Sequence, residues 1–286
     1  MDAPISKAVL ITGCSTGIGR ATAERMLAKG WPVWATARRL ETIKDLADAG
    51  ARALPLDVTD ESSMRAAVAA VEEADGAVGV LVNNAGYGVQ GPVEEFSMDD
   101  VRTLFETNVF GLVRMCQLAL PGMRRQGWGR IVNVSSIGGR LVFPGGGFYH
   151  GTKYAVEAIS DALRFEVRPF GVRVILIEPG TVMTPWGERA LASIPEGDQG
   201  PYASYKKALA NTVRGAYEGP LARIAITPEK VAAAIERAIS SSRPRARYPV
   251  GVAARSGIAM KRTLPDRAFD MVMRSQFESP SAPEEG

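Results

Sequence analysis

The chain has one histidine and two cysteines in 286 residues. One imidazole and two scattered thiols, Cys14 and Cys116, neither assemble a Cys/His metal cluster nor make a disulfide framework. Cys14 falls in a glycine-rich turn and Cys116 in a helical pattern, so both read as reduced, structural thiols. Net charge is only +3, and basic pairs such as Arg38-Arg39 and Arg124-Arg125 are spread out rather than gathered in a run. That removes the electrostatic footprint of a nucleic-acid-binding protein. No uninterrupted apolar stretch approaches the ~20 residues of a spanning helix. A strand-like run begins by about residue 7 with no apolar leader core before it, so the chain is expected in the cytoplasm. Internal repeats, low-complexity segments and the paired carboxylates of hydrolytic chemistry are also missing.

What is present is an ordinary globular composition, 46% hydrophobic and 23% charged, with a strict alternation of strand and helix patterns. Short apolar runs read as strands at 7–13, 33–37, 51–57, 78–83, 130–135 and 171–178, with a further candidate at 247–251. Helical patterns fall between them: one from Arg20 to Lys29, then 60–75, 98–125, 149–170 and 227–240, the last opened by Thr227-Pro228-Glu229. This alternation predicts an α/β fold, a doubly wound, mostly parallel Rossmann-type sheet with helices on both faces. One dinucleotide-binding catalytic domain is expected over 1–251, with a C-terminal extension over 252–286. Glycine and proline crowd the stretch 184–226, where the periodic pattern loosens. The tail beyond 276 is expected to be disordered.

Two local patterns carry chemistry. The first strand opens directly into Gly13-Cys14-Ser15-Thr16-Gly17-Ile18-Gly19 and then into a helix. Glycines let backbone approach a pyrophosphate, and the helix start offers free N–H groups and partial positive charge. The spacing is G-x-x-x-G-x-G rather than G-x-G-x-x-G. Further on, Tyr149 and Lys153 stand four apart, on one face of a helix. A phenol is a poor acid or base at neutral pH, and a neighbouring cation favours its ionised form. That pairing makes a tyrosine usable for proton transfer.

Together, Thr12-Gly-x-x-x-Gly-x-Gly19, Asn83-Asn-Ala-Gly86, Ser136 and Tyr149-x-x-x-Lys153 resemble the short-chain dehydrogenase/reductase family over roughly residues 6–250, with thirteen positions from the serine to the tyrosine. The resemblance implies an oxidoreductase that moves a hydride between a nicotinamide and a ketone, aldehyde or secondary alcohol. It implies Tyr149 as proton donor in reduction and as base in oxidation. Lys153 would favour the phenolate and hold the nicotinamide ribose, Ser136 would position the carbonyl, and Asn108 would anchor a water on the proton path. Ser135 is the rival of Ser136; the thirteen-residue spacing favours Ser136. The cofactor would sit on Gly13, Ser15, Thr16, Gly17, Ile18 and Gly19. Asp57 and Val58 would meet the adenine, and Asn84, Ala85 and Gly86 its ribose. Pro179, Gly180, Val182 and Thr184 match the family's P-G-x-x-x-T, with backbone near Val182 fixing the carboxamide. Asp57 has a second reading as a cap for the next turn.

NADP(H) is the expected cofactor. An NAD site usually ends its second strand with an acid for the ribose 2′-OH. Here that place falls on Ala37, followed by Arg38 and Arg39, and guanidinium groups suit a 2′-phosphate. In the resembling family an arginine at Arg38 marks NADP, with sharing by Arg39 left open. The resemblance makes 184–226 a substrate lid, with Val182, Met183, Trp186 and Leu191 as apolar wall candidates beside the glycine-rich Leu141–Phe148 segment. Such walls suit a lipophilic substrate. The tail at 258–273 resembles those of the hydroxysteroid- and retinol-dehydrogenase-like branch and leaves open core packing, cover of the site, subunit contact or peripheral membrane contact. Relatives pair through the helices near 98–125 and 149–170, which implies a homodimer or homotetramer. The alternative of another class is a silent cofactor-binding regulator; the full set Ser136, Tyr149 and Lys153 argues against it. A sugar-nucleotide isomerase is disfavoured by the glycine spacing. His150 lies about 100° from Tyr149 around the helix and reads as a helix or pocket-wall residue.

Overall fold

The structure is a computed structural model that describes residues 4–197 and 199–276. Its centre is a seven-stranded sheet in the order β3-β2-β1-β4-β5-β6-β7. The strands are β1 (Val9–Ile11), β2 (Val33–Ala37), β3 (Arg52–Pro55), β4 (Val80–Asn83), β5 (Gly129–Val134), β6 (Val172–Pro179) and β7 (Arg247–Val250). Every neighbouring pair is parallel. Five of the strands (β1, β2, β4, β5 and nearly all of β6) are buried on both faces, which is why they read as continuous apolar runs rather than alternating ones.

The helices named in the argument are α1 (Gly17–Ala28), α2 (Lys44–Asp48), α3 (Glu61–Asp75), α4 (Met98–Phe105), α5 (Gly111–Arg125), α6 (Gly147–Val167), α7 (Trp186–Ala192), α8 (Ala203–Glu218), α9 (Pro228–Ser240), α10 (Val252–Thr263) and α11 (Asp266–Gln276). They cover both faces. Met26 of α1 and Val231 and Ile235 of α9 pack on one side with Val9, Ile11, Val132 and Ile175. Val68 of α3, Met115 of α5 and Val156 of α6 pack on the other with Leu10, Leu81 and Ile131. The chain runs outward from β1 through β2 to β3 and then crosses back to β4 on the other side of β1, so the strand order reverses there. The carboxyl ends of β1 and β4 therefore border the crevice in which such sheets bind ligands.

Three expectations from the sequence need correction. The helix expected over 98–125 is broken: α4 stops at Phe105, a π-helical turn occupies Glu106–Phe110, and α5 begins at Gly111. The wider turn carries Asn108, which is buried at 1% exposure. Gly111 permits the join, because a Cβ there would fall 2.3 Å from the Val58 carbonyl oxygen. The stretch 184–226 is not loose but holds α7 and α8. Its prolines and most of its glycines lie outside these helices, Gly187 and Gly215 lie within them, and Ala190, Leu209 and Val213 form a small core with Trp186 and Tyr217. The helix expected to run to 170 ends at Val167 and tightens into a 3₁₀ turn over Arg168–Phe170.

The 184–226 excursion leaves and returns at one point. Val182 bridges Ile226, with Met183 N donating to Ile226 O at 2.9 Å and Ile226 N to Thr181 O at 2.9 Å. Its far end is held to the β4–α4 connection. Lys206 pairs with Glu95 at 3.1 Å and the Tyr202 hydroxyl donates to Glu94 at 2.6 Å. Beyond β7, α10 and α11 fold back. Phe269 and Met273 are buried with Leu141, in contact with Ile137 and Phe143. This apolar stripe thus packs on the segment that follows Ser136. The expected disorder of the tail beyond 276 lies outside the described residues.

Candidate active site

Three loops meet at the crevice. The turn after β1 needs left-handed backbone at Gly13 (φ +74°) and Gly17 (φ +63°). Gly19 has no room for a side chain, since a Cβ would sit 2.3 Å from Gly13 O and 2.5 Å from Asn84 Nδ2. Asn84, at the end of β4, ties this turn down by donating to Thr12 O (2.9 Å) and Gly13 O (3.0 Å). Thr12 reciprocates, its hydroxyl oxygen accepting from the Asn84 and Ala85 amides at 2.9 Å each. The third loop, after β6, brings Thr184 against Gly17. Pro179 closes β6, and Gly180 is fixed by its amide donating to Val250 O at 3.1 Å. The Val182–Ile226 bridge uses neighbouring backbone and leaves the Val182 amide out of the pairing.

The start of α1 suits an anion. Thr16 caps it in extended backbone without a side-chain bond, and its first turn holds no acid. The orphan N–H groups and the helix dipole therefore point at the crevice uncompensated. Glycines that admit a close backbone approach, an open helix start and an arginine beyond β2 are the donor set that a dinucleotide phosphate needs. Arg38 is exposed and forms no ion pair among the described residues, whereas Arg39 lies 3.6 Å from Glu41. Val58 is buried, at 7% exposure. Asp57 does turn the chain locally, accepting from the Thr59 amide (2.9 Å) and hydroxyl (2.8 Å). Of the sequence-derived cofactor residues, Ser15 lies in the turn and Ile18 in the first turn of α1, and Gly86 sits where a Cβ would meet Asn108 Oδ1 at 2.9 Å.

The residues expected to transfer the proton come from α6 and the end of β5. Lys153 is buried, and its ammonium donates to Val134 O at 2.9 Å. It lies 5.9 Å from the centre of the Tyr149 ring. Burial pulls the Lys153 ammonium down to about 8, with the Glu157 carboxylate acting in the opposite sense. Burial pushes the Tyr149 phenol above its usual value, and a hydrogen bond from Ser136 works against that rise. Lys153 thus gives one hydrogen bond to β5 while its ammonium stays beside the Tyr149 ring. Ser136 also accepts from the Gly138 amide at 3.0 Å, which fixes its rotamer. Ser135, by contrast, is buried beside Glu157 rather than facing Tyr149.

Asn108 holds the floor. Its amide donates to Tyr87 O (2.8 Å) and to the Thr152 hydroxyl (3.1 Å), and its oxygen accepts from the Tyr87 amide (3.1 Å). Thr152 in turn donates to Tyr149 O at 2.7 Å. His150 is buried and neutral, pulled down to about 4, and its Nδ1 accepts from the Phe143 amide at 3.1 Å. It anchors the glycine-rich wall. Two contacts were not read from the sequence. Trp186 meets Tyr149 in a tilted ring contact with centres 5.4 Å apart, and Tyr217, half-buried beside Gly187, has its phenol raised by burial and by the neighbouring Tyr149. Trp186 was legible only as an apolar wall, and Tyr217 lies on the helix that the sequence reading missed. Among the described residues no three His, Cys, Asp or Glu side chains gather to hold a metal ion, and no helix is long and apolar enough to cross a membrane.

A parallel doubly wound sheet, a glycine turn at its switch point and a serine–tyrosine–lysine group at the next strand end define a dinucleotide-dependent oxidoreductase. The family model for short chain dehydrogenases matches residues 7–193. The chain is 35% identical over 269 residues to a 3-ketodihydrosphingosine reductase of Bacteroides thetaiotaomicron, covering 93% of this chain and 96% of that protein. A short-chain dehydrogenase of Streptomyces avermitilis is 37% identical with a TM-score of 0.79, over 94% and 95% of the two chains. Two further structures carry different cofactors. A serine dehydrogenase with NADP⁺ is 29% identical (TM-score 0.74, 85% and 94% covered). A family member of Burkholderia phymatum with NAD is 27% identical (TM-score 0.76, 100% of both covered). This chain belongs to the short-chain dehydrogenase/reductase family.

Proposed function

We propose that the protein is an NADP(H)-dependent reductase of ketones or aldehydes, working in reverse on secondary alcohols. The observation that carries this is the meeting of Ser136, Tyr149 and Lys153 beside the glycine turn. The cofactor supplies the hydride, and negative charge then develops on the substrate oxygen. Ser136 holds that oxygen, and Tyr149 delivers the proton to it. Lys153 keeps positive charge behind the phenol and offers its remaining N–H groups to the nicotinamide ribose. Asn108 holds the Tyr87–Thr152 floor in the register that a relayed water needs.

The preference for the phosphorylated cofactor rests on Arg38, which is exposed beside Ala37 and forms no ion pair among the described residues. The substrate is lipophilic in this reading, because Trp186, Tyr217 and the Leu141–Phe148 wall leave few polar groups around Tyr149. Residues 184–226 act as the lid, and residues 1–251 with the extension 252–286 act as one cytoplasmic enzyme, paired as a homo-oligomer through α5 and α6. The test is consumption of NADPH against a panel of aliphatic, steroidal and aromatic carbonyls. Tyr149→Phe should remove turnover while leaving NADPH affinity within about threefold. Tight NADPH binding with no turnover on any carbonyl, and no alcohol oxidation with NADP⁺, would move the protein to the silent-regulator class.

A further inference from the structure

Lys153 is the last member of the reaction group on α6, but the charged side chains continue along that helix. Glu157 lies one turn further on, Asp161 a turn beyond it, and both Lys153 and Glu157 are buried, at 8% and 6% exposure. Glu157 does not pair with Lys153. Its Oε2 accepts from Arg247 Nε at 2.9 Å. Arg247, from β7, also reaches Asp161 at 2.7 Å and Glu178 of β6 at 3.3 Å. Glu178 accepts in turn from Arg140, in the loop after Ser136, at 2.9 Å. The loop is wedged against this group: a Cβ on Gly139 would lie 2.9 Å from Glu157 Cγ, 2.9 Å from the Ser135 hydroxyl and 3.0 Å from Lys153 O.

The arrangement is costly unless it serves something. Among the described residues neither the Ser135 hydroxyl nor Glu157 Oε1 has a hydrogen-bond partner, and burying an ionised carboxylate disfavours folding. An apolar residue in place of Glu157 would avoid that cost. What a buried carboxylate supplies, and an apolar residue does not, is a negative charge on the same helix, one turn beyond Lys153.

We infer that Glu157 is a positioning residue for Lys153: clamped by Arg247, it holds a negative charge behind the ammonium that keeps Lys153 protonated while its N–H groups stay free for Val134 and the ribose. This rests on the reading of Lys153 as part of the reaction group. Arg247 keeps Glu157 from collapsing onto Lys153 as a direct ion pair, which would turn the ammonium away from the site. Other charged or titratable groups face the pair. Glu178, Asp161 and Arg164 stand around Arg247 and along α6, Arg140 lies in the loop, and Tyr154 with Lys261 of α10 lies on the outer side. Tyr149 lies on the inner side.

The test needs no substrate. Protein carrying ¹³C at lysine Cε is titrated by NMR without cofactor, and Lys153→Arg assigns the Lys153 signal by its loss. In Glu157→Gln, which keeps an acceptor for Arg247, the Lys153 midpoint should fall by about one pH unit, the scale of a nearby opposite charge. Glu157→Asp and Arg247→Lys, which retain both charges, should stay within a few tenths of the wild type. The wild-type protein with ¹³C carboxyl-labelled glutamate supplies a second measurement. The Glu157 signal, assigned by its loss in Glu157→Asp, should step at the Lys153 midpoint. An unmoved Lys153 midpoint in folded Glu157→Gln, or no such step in the wild type, would overturn the inference. Absence of turnover on every carbonyl would instead count against the reductase reading. Where turnover exists, the alkaline limb of its pH profile should move with the NMR midpoint.

Discussion

Gly17 and Thr184 touch across the crevice because Gly17 has no side chain: a Cβ there would lie 3.1 Å from the Thr184 methyl. The contact joins the turn after β1 to the loop after β6, the two segments on either side of the proposed cofactor site. Gly17 also adopts φ +63°. Gly17→Ala should therefore cost about 1–2 kcal/mol for the left-handed backbone and weaken NADPH binding several-fold by pushing Thr184 back. Gly19→Ala meets backbone at 2.3 Å and should be far worse. Urea unfolding with and without NADPH checks both. Equal losses in the two variants would contradict the geometry.

Arg38 and Arg39 adjoin each other but differ in what surrounds them. Arg39 has Glu41 at 3.6 Å, while Arg38 forms no ion pair among the described residues. Arg38→Gln should lower kcat/KM with NADPH by about 10- to 100-fold, the value of one or two charge-assisted bonds, and leave NADH nearly unchanged. Arg39→Gln should move the ratio by less than half as much on a logarithmic scale. Steady-state kinetics with both cofactors decides it, and better turnover with NADH in the wild type would sink the role given to Arg38.

The sheet was legible because a strand buried on both faces leaves an apolar run that nothing else in the chain imitates; β4, β5 and β6 were read almost to the residue. The glycine turn and the Tyr149–Lys153 pair were legible because their chemistry constrains residue type as well as spacing. The π-helical turn at Glu106–Phe110 was not, since its cause is tertiary: Asn108 bonds to Tyr87, 21 positions away. Helix α8 was hidden by the glycines and prolines at its ends, although Ala203–Glu218 holds no proline and packs Leu209 and Val213 inward. Arg247 read as part of a terminal strand. Nothing local says that a strand residue will bind three carboxylates from two other elements.

His150 gives the protein a dependence on pH that no other imidazole shares, because the chain has one histidine. Its folded value is about 4 against an ordinary 6.5, since burial disfavours the cation. Between those two values the unfolded chain holds a proton that the folded chain does not. Stability from this residue is therefore complete above about pH 6.5 and is lost as the pH falls toward 4. The integral is about 3 kcal/mol. His150→Gln keeps an acceptor for the Phe143 amide and removes the titration. Its urea midpoint should fall less than that of the wild type between pH 7 and pH 4.5. Parallel profiles would show that His150 carries no such linkage.

Lys153 follows the same sign in a more alkaline window. Its folded value of about 8 lies below the ordinary 10.5 because burial penalises the ammonium. Below about pH 8 both folded and unfolded chains hold the proton, and folding pays the whole cost of burying the charge. As the pH rises from 8 to 10.5 the unfolded chain alone stays protonated, so the penalty is relieved by folding into the neutral form. The wild type should then gain relative stability across that window. Lys153→Met has a similar length and no charge to bury. It should be more stable than the wild type at pH 7 by at most about 3 kcal/mol, less the lost bond to Val134 O. The advantage should shrink to near zero or reverse by pH 10.5, and turnover should be gone throughout. Such a gain marks a residue kept for chemistry at the expense of stability. Denaturation of both proteins across the alkaline range measures it, and a variant that is less stable at pH 7 with no convergence at high pH would mean that the Val134 bond outweighs the buried charge.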